Sequence, residues 1–417
     1  MPMGLKPVLY IANVLPGKSE TFVYREIFAL RSLGITVLTA SVHEPDRDLG
    51  SSVLDALSDS AIKIYSSGVS RLLRDAMAEF ACRPLRTIST YALACADAIR
   101  ASDVKGLRRV KILAQAIAAI GLARRVRSLG VAHIHAHMAH VPTTIAMYAA
   151  RQLGVPFSFT GHANDLFPSR SLLKEKLRRS AFTACISNWH RDFYESIYKK
   201  NDCDYPIVRC GVDTRTVAPI PRRTSRQVKV LGVGRLVSKK GFDILIRAAG
   251  MIAERRSADL EVSIVGSGPE EAGLRGLIAA LPSSARVVLL GEKRNEEVMS
   301  LMGECDIFVL PMRIASTGDR DGIPVVLMEA MAKGRCVVSG DMSTIRELVD
   351  DGRSGYLFPM EDERTLAGIL ERLAASPELM ESSGKEARRK IEAEFDTTTN
   401  ARILLAAMNR CGLGALV

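Results

Sequence analysis

Two α/β domains, each a parallel sheet covered by helices, follow from three observations on this sequence. A strand, a glycine-bearing loop, a helix and a second apolar stretch succeed one another from Val8, and the layout begins again at Val228. Most candidate strands are short unbroken apolar runs, as parallel strands buried on both faces require. The chain has 417 residues, 47% of them apolar and 25% charged, which suits two or three globular domains and excludes wholesale disorder or a fibrous repeat. Both halves therefore read as Rossmann-like.

In chain order, Val8 to Ile11 is a strand, Pro16-Gly17-Lys18-Ser19 a loop, and the next segment a helix with Val23, Ile27, Leu30 and Leu33 on one face, followed by a strand from Ile35 to Val42. This first domain is expected to span 1–213. Residues 214–227 are rich in Pro, Thr and Arg without apolar period and read as the linker. The second domain, 228–394, opens with the strand Val228 to Val233, the loop Gly234 to Gly241 and a helix bearing Ile244, Leu245, Ala248 and Ile252. Leu260 to Val265, Val287 to Leu290, Ile307 to Leu310 and Cys336 to Ser339 supply further strands. A last helix within 395–417 is expected to cross back to the first domain.

The most apolar stretch, Ile112 to Ala123, is shorter than the roughly 20 residues that span a bilayer, and no secretory signal pattern opens the sequence. Eight scattered cysteines without a C-x-x-C read as reduced thiols, so a cytoplasmic location is expected. The formal net charge is +11. Residues 1–213 hold 28 basic and 18 acidic side chains, whereas 214–417 hold 29 and 28. Arg71 to Arg127 alone carries 12 basic and 4 acidic residues among Leu72, Leu73, Met77, Phe80, Ile112, Ile117 and Leu122. That pattern reads as one or two helices with an apolar and a basic face. It suits a solvated helix packed on its own domain or a surface that docks on anionic lipid; nucleic acid fits poorly, because aromatics for stacking are scarce.

Chemistry concentrates at a few places. In Gly318 to Gly334, Pro324 suits the first helical position and Gly334 the residue past the end. The amides of Gly322, Ile323, Pro324 and Val325 mark a helix start (proline contributing no N–H), where phosphate binds readily. Asp321 lies just ahead, and Glu329, about two turns in, either serves a ligand or is a surface carboxylate paired with a lysine. Gly232-Val-Gly-Arg235 followed by Lys240-Gly241 places a guanidinium and an ammonium where a diphosphate can be clamped; a merely solvated basic loop is the alternative. His162, at a strand end beside Gly161, is placed to touch a substrate or is structural. His133, His135, His137 and His140 cluster without an acidic or thiol companion in sequence, so no metal is expected there. The triplet Asp319-Arg320-Asp321 is equally discounted as a metal motif. Gly266-Ser-Gly268-Pro-Glu-Glu-Ala-Gly273 lacks the spacing of the dinucleotide fingerprint, which disfavours a dehydrogenase.

Six motifs in order resemble those of the family-four retaining glycosyltransferases of the GT-B fold: Pro16-Gly-Lys-Ser-Glu-Thr-Phe-Val23, His135-Ala-His137, Thr160-Gly-His162, Gly232 to Gly241, Val265-Gly-Ser-Gly-Pro269 and Gly322-Ile-Pro-Val-Val-Leu-Met-Glu329-Ala-Met-Ala. The Ser-Glu-Thr-Phe-Val loop is similar to the branch that makes bacterial exopolysaccharide and colanic-acid-type repeat units. The resemblance implies two Rossmann-like domains facing across a cleft, a nucleotide-sugar donor held mainly by the second and an acceptor held mainly by the first. It implies that Arg235 and Lys240 bind the donor diphosphate, that Glu329 holds the ribose, and that Asp321, where the family usually has Glu, contacts the transferred sugar. His162 would orient that sugar and Gly17 would let the first loop approach the phosphates. Gly266 and Lys293 would complete the donor side; Ser19, Glu20 and His137 fall on the acceptor side. No cofactor beyond the nucleotide-sugar substrate and no metal is expected. The expected partners are that donor, a lipid-linked or oligosaccharide acceptor and an anionic membrane surface, not nucleic acid. An epimerase on the same fold, or a non-catalytic membrane-associated binding protein, are the alternatives.

Overall fold

The five apolar residues Val8–Ala12 and the six-residue stretch Val228–Val233, apolar but for the exposed Lys229, become central strands of two separate parallel sheets. The computed structural model describes residues 6–18, 20–47, 49–104, 106–162, 171–220, 227–316 and 318–413. The chain divides into two units, Met1–Cys210 with Thr397–Val417, and Gly211–Asp396.

The first unit opens with β1 (Val8–Ala12), α1 (Thr21–Ser32), β2 (Val37–Ser41), α2 (Ser52–Ser60) and the short β3 (Ile62–Lys63). Three helices follow, α3 (Val69–Cys82), α4 (Pro84–Arg100) and α5 (Arg108–Val126), before β4 (His133–His137). This corrects the expectation of one or two helices: Pro84 starts a new helix at its first position after Arg83 leaves helical geometry. Then come α6 (Val141–Leu153), β5 (Phe157–Thr160), α7 (Leu173–Arg179), β6 (Phe182–Ala184) and α8 (Asn188–Ile197). Every paired strand is parallel, in the order β3-β2-β1-β4-β5-β6. All five residues of β1 are buried, with alternate side chains entering the two cores on either face of the sheet.

The second unit repeats the scheme with β7 (Val228–Val233), α9 (Phe242–Arg255), β8 (Leu260–Val265), α10 (Glu271–Ala279), β9 (Arg286–Leu289) and α11 (Asn295–Glu304). It continues through β10 (Ile307–Leu310), α12 (Val325–Ala332), β11 (Cys336–Gly340), β12 (Tyr356–Phe358), α13 (Glu363–Ala375) and α14 (Pro377–Glu394). Its order is β12-β11-β10-β7-β8-β9, again parallel throughout. Of the stretch read as linker, the part up to Ile220 lies on this unit. The Arg388 guanidinium donates to the carbonyls of Thr214 (2.8 Å) and Ala332 (2.6 Å), and Ile220 N–H to that of Lys333 at 3.2 Å. Residues 221–226 lie outside the described residues.

Helix α15 (Thr397–Met408) belongs to the first unit. Its Ala401, Leu404, Leu405 and Met408 join Val23, Ile27 and Leu30 of α1 in one core.

Candidate active site

In an open parallel sheet, the loops beside the strand where the order reverses separate to opposite faces and leave a crevice at the carboxyl ends. In the second unit that point lies between β7 and β10. The loop after β7 carries Gly234, Arg235 and a tight turn, Ser238–Lys240, closed by Gly241 at φ +68°. It meets the loop after β8 backbone to backbone: Leu236 N–H donates to Ser267 O at 2.8 Å, and Glu270 N–H to Leu236 O at 3.0 Å. Gly266 has φ +149°, and a Cβ there would stand 1.9 Å from Gly234 O, so only glycine fits. On the other side the loop after β10 is tied to the same turn, with Met312 N–H donating to Lys240 O and Arg313 N–H to Lys239 O.

Side chains lock the two loops further. Lys240 Nζ lies 2.6 Å from Asp321 and Lys239 Nζ 3.2 Å from it, while Lys239 also reaches Asp319 at 3.0 Å. Burial pushes the Asp321 carboxyl upward, but the Lys240 and Lys239 ammoniums outweigh it and hold it below the ordinary carboxylate range. Arg313 secures the base of the loop by pairing with Asp243 and donating to Ser238 O at 2.9 Å.

Helix α12 starts right behind this ion-paired knot. Pro324 caps it rather than filling the first helical position, so Glu329 is the fifth residue of the helix, little more than one turn in. Glu329 is only 7% exposed, which corrects its reading as a surface carboxylate. Leu327, Met328, Ala330 and Met331 are buried around it, because this short helix has no solvent face to give its carboxylate. Gly322, Ile323 and Val325 are half-buried at the helix start. Arg235 and Lys293 are exposed, Lys293 lying 3.6 Å from Glu297.

The first unit has its own reversal, between β1 and β4. Gly17 lies in the loop after β1, where a Cβ would come 3.0 Å from Val14 O. The Lys18 N–H donates to Asp46 at 2.8 Å, and Glu20 N–H to Gly17 O at 3.2 Å. Ser19 and the segment Ala163-Asn164-Asp165 lie outside the described residues. Strand alternation puts His133, His135 and His137 on one face of β4, and register pairs His135 with Ser158 and His137 with Thr160. Ser158 Oγ lies between His133 Nε2 (2.7 Å) and His135 Nδ1 (2.8 Å).

Glu26, on α1, reaches the same face and corrects the expectation that no acidic group accompanies these histidines. Its Oε1 accepts from Tyr10 OH at 2.8 Å and lies 3.0 Å from His137 Nε2 and 3.9 Å from His135 Nε2. His137 Nδ1 is 3.2 Å from His162 Nε2, and the two rings stack at 5.5 Å. His137 thus bridges the Glu26 carboxylate through Nε2 and the His162 ring through Nδ1. Burial, then the neighbouring His137, His190 and His140, keeps the His162 pKa well below that of free histidine, so the ring is neutral. One ligand atom each from Glu26, His135 and His137 lie within 4.8 Å of one another, a grouping able to hold a divalent cation. The signal for Glu26 was present in the sequence: a carboxylate three residues after Val23 and beside Ile27 sits on the buried side of its helix.

The structure thus gathers Lys240, Asp321, Gly322, Ile323, Pro324, Val325 and Gly266 at one sheet edge, and His137 and His162, with Glu20 and Gly17 on the first loop, at another. Lys239, Asp319, Tyr10 and Glu26 join them as residues that the motifs alone did not assign.

Two parallel six-stranded sheets, each with its glycine-rich loops at the reversal point, define the two-domain α/β fold of the GT-B glycosyltransferases. Residues 215–390 match the family described as glycosyl transferases group 1. AmsK of Erwinia amylovora, an amylovoran biosynthesis glycosyltransferase, is 39% identical over 183 residues, 44% of this chain and 45% of AmsK. WcaL of Escherichia coli K12, assigned to colanic acid biosynthesis as a glycosyltransferase, is 38% identical over 195 residues, 46% of this chain and 47% of WcaL. The chain therefore spans about half the length of the curated relatives it matches. The crystal structure of HepE from Anabaena in complex with UDP and glucose superposes with a TM-score of 0.68 at 15% identity, over 97% of this chain and 100% of HepE.

Proposed function

We propose that this protein transfers a sugar from a nucleotide-diphosphate donor, UDP- or GDP-linked, to a lipid-linked or growing polysaccharide acceptor in exopolysaccharide synthesis. The observation that carries the proposal is the ion-paired knot of Lys240 and Asp321 at the start of α12, inside the segment that matches the group 1 family. The relatives AmsK and WcaL, and the UDP and glucose bound by HepE, support the donor class.

In this reading Arg235 and Lys240 face the diphosphate and stabilise the charge that grows on the leaving nucleotide, with the α12 amides adding their dipole. Glu329 holds the ribose hydroxyls. Asp321 and His162 orient the sugar. The bond from the anomeric carbon to the phosphate oxygen breaks while the acceptor oxygen bonds to the same face, and its proton passes to the departing phosphate, so configuration is retained. Neither metal nor cofactor takes part. The work is done from the cytoplasm, at the inner face of the membrane; no helix among the described residues is long and apolar enough to cross it.

Arg235→Ala, Lys240→Ala and Glu329→Ala should each slow transfer well beyond threefold. Rates all within threefold of the parent, roughly 0.6 kcal/mol, would overturn the proposal. A thermal-shift panel of UDP, GDP and ADP sugars identifies the donor, since a ligand at a hundred times its Kd stabilises by about 2.7 kcal/mol.

A further inference from the structure

Between β3 and β4, the three consecutive helices α3, α4 and α5 leave an open groove of about 460 Å³, lined by Leu73, Met77, Phe80, Ile88, Tyr91 and Ile117 among others. Helix α5 packs onto the sheet and forms its floor, whereas α3 and α4 turn apolar side chains outward: Met77 is 72% exposed, Ile88 55% and Phe80 48%. Val69, Leu85 and Ile99 continue the same apolar surface along these two helices. A contiguous apolar surface of this kind on a globular protein marks a place of binding.

The charges say what binds. The acidic residues of α3 and α4 are Asp75, Glu79 and Asp97, and each is turned inward and held there. Asp75 accepts from Arg125 at 2.7 Å; Glu79, fully buried, is held by Arg127 and Gln152; Asp97 is held by Arg179 at 2.6 Å and Tyr148 at 2.8 Å. Arg71, Arg74, Arg83, Arg86 and Arg100 on or between the same two helices are all exposed. The outer face therefore offers hydrocarbon and guanidinium and no acid.

We propose that this groove seats the hydrocarbon chains of an anionic bilayer, with the surrounding arginines at the level of the phosphates. Guanidinium groups on long stems suit that depth, since the stem lies along apolar chains while the planar head pairs with phosphate. A second copy of the chain would bring the same arginines against each other. This site deepens the reading of a membrane-borne acceptor and rests on it for the choice of partner, but vesicle binding needs no nucleotide sugar, so the two fail separately.

The test is flotation of the full chain with vesicles of phosphatidylcholine alone and of phosphatidylcholine with phosphatidylglycerol. Binding is expected to the anionic vesicles, weakening as salt rises. The double variant Met77→Asp, Ile88→Asp should lose about tenfold or more of that binding, and Arg74→Glu, Arg83→Glu should do likewise, with melting temperature and thermal shift by donor kept. Met77→Leu with Ile88→Val should bind as the parent does. Equal binding to neutral vesicles, retention of binding by the Asp double variant, or a dimer that the Asp variant dissociates would each overturn the proposal.

Discussion

Glu20 sits where its carboxyl group is harder to ionise than in water. Burial raises it, His137 opposes, Asp46 adds to the rise, and the pKa stands at about 7 against an ordinary 4.5. An acid whose pKa is raised by folding binds its proton more tightly in the native state, so its contribution to stability falls as pH climbs from 4.5 towards 7. Glu20→Gln should therefore match the parent in urea unfolding near pH 4 and exceed it by about 1–3 kcal/mol near pH 8. Asp321 behaves oppositely: its lowered pKa adds stability above the ordinary 3.8, lost as acid protonates it. Gly266 tests steric rather than electrostatic fit. Gly266→Ala has no room before Gly234 O and should cost about 1–3 kcal/mol or more in a thermal melt, with donor binding weakened in parallel. The motif residues were legible because glycines and charges at loop ends have few other uses. The place of Glu26 on the buried side of α1 was legible too, but its pairing with His137 was not, since one-dimensional spacing does not say which helix crosses which strand.

At the level of elements, the inserted helices show why amphipathic pattern is ambiguous. Period reports a stripe of apolar residues but not what covers it. Here α5 alone turns its stripe to the sheet, while α3 and α4 are anchored by buried ion pairs instead. Glu79 on α3 binds Gln152 of α6 at 2.9 Å and the Arg127 that follows α5, joining parts of the fold remote in sequence. Arg127→Met would leave that carboxylate buried and short of its counter-charge, and should cost about 3–5 kcal/mol in chemical denaturation. Most of the parallel strands, by contrast, were legible, because a run such as Val8 to Ile11 is apolar throughout, whereas the short β3, β6 and β12 offer no such run and β4 buries three histidines. Strand ends moved by a residue or two, and α12 proved shorter than its proline and glycine frame suggests, Pro324 standing outside it.

For the molecule as a whole, the net charge of +11 is concentrated in the stretch that builds the first unit, and within that unit on an insert whose acids on α3 and α4 face inward. The first unit also depends on a late part of the chain. Leu404 is fully buried in the core that α15 shares with α1, and Leu404→Ala should cost about 2–5 kcal/mol, read by urea unfolding. Ending the chain at Asp396 should expose Val23, Ile27 and Leu30 and leave the first unit open to protease while 211–396 resists digestion.

Helix α15 is made only after the second unit. At about 5–20 residues per second, roughly ten to forty seconds of synthesis separate the bulk of the first unit from the segment that seals it. The order of completion thus runs against the order of synthesis: the part made second is finished first. A chain that stops before Thr397 leaves the first unit, and with it the arginine-ringed face, without its last helix, while 211–396 is already whole.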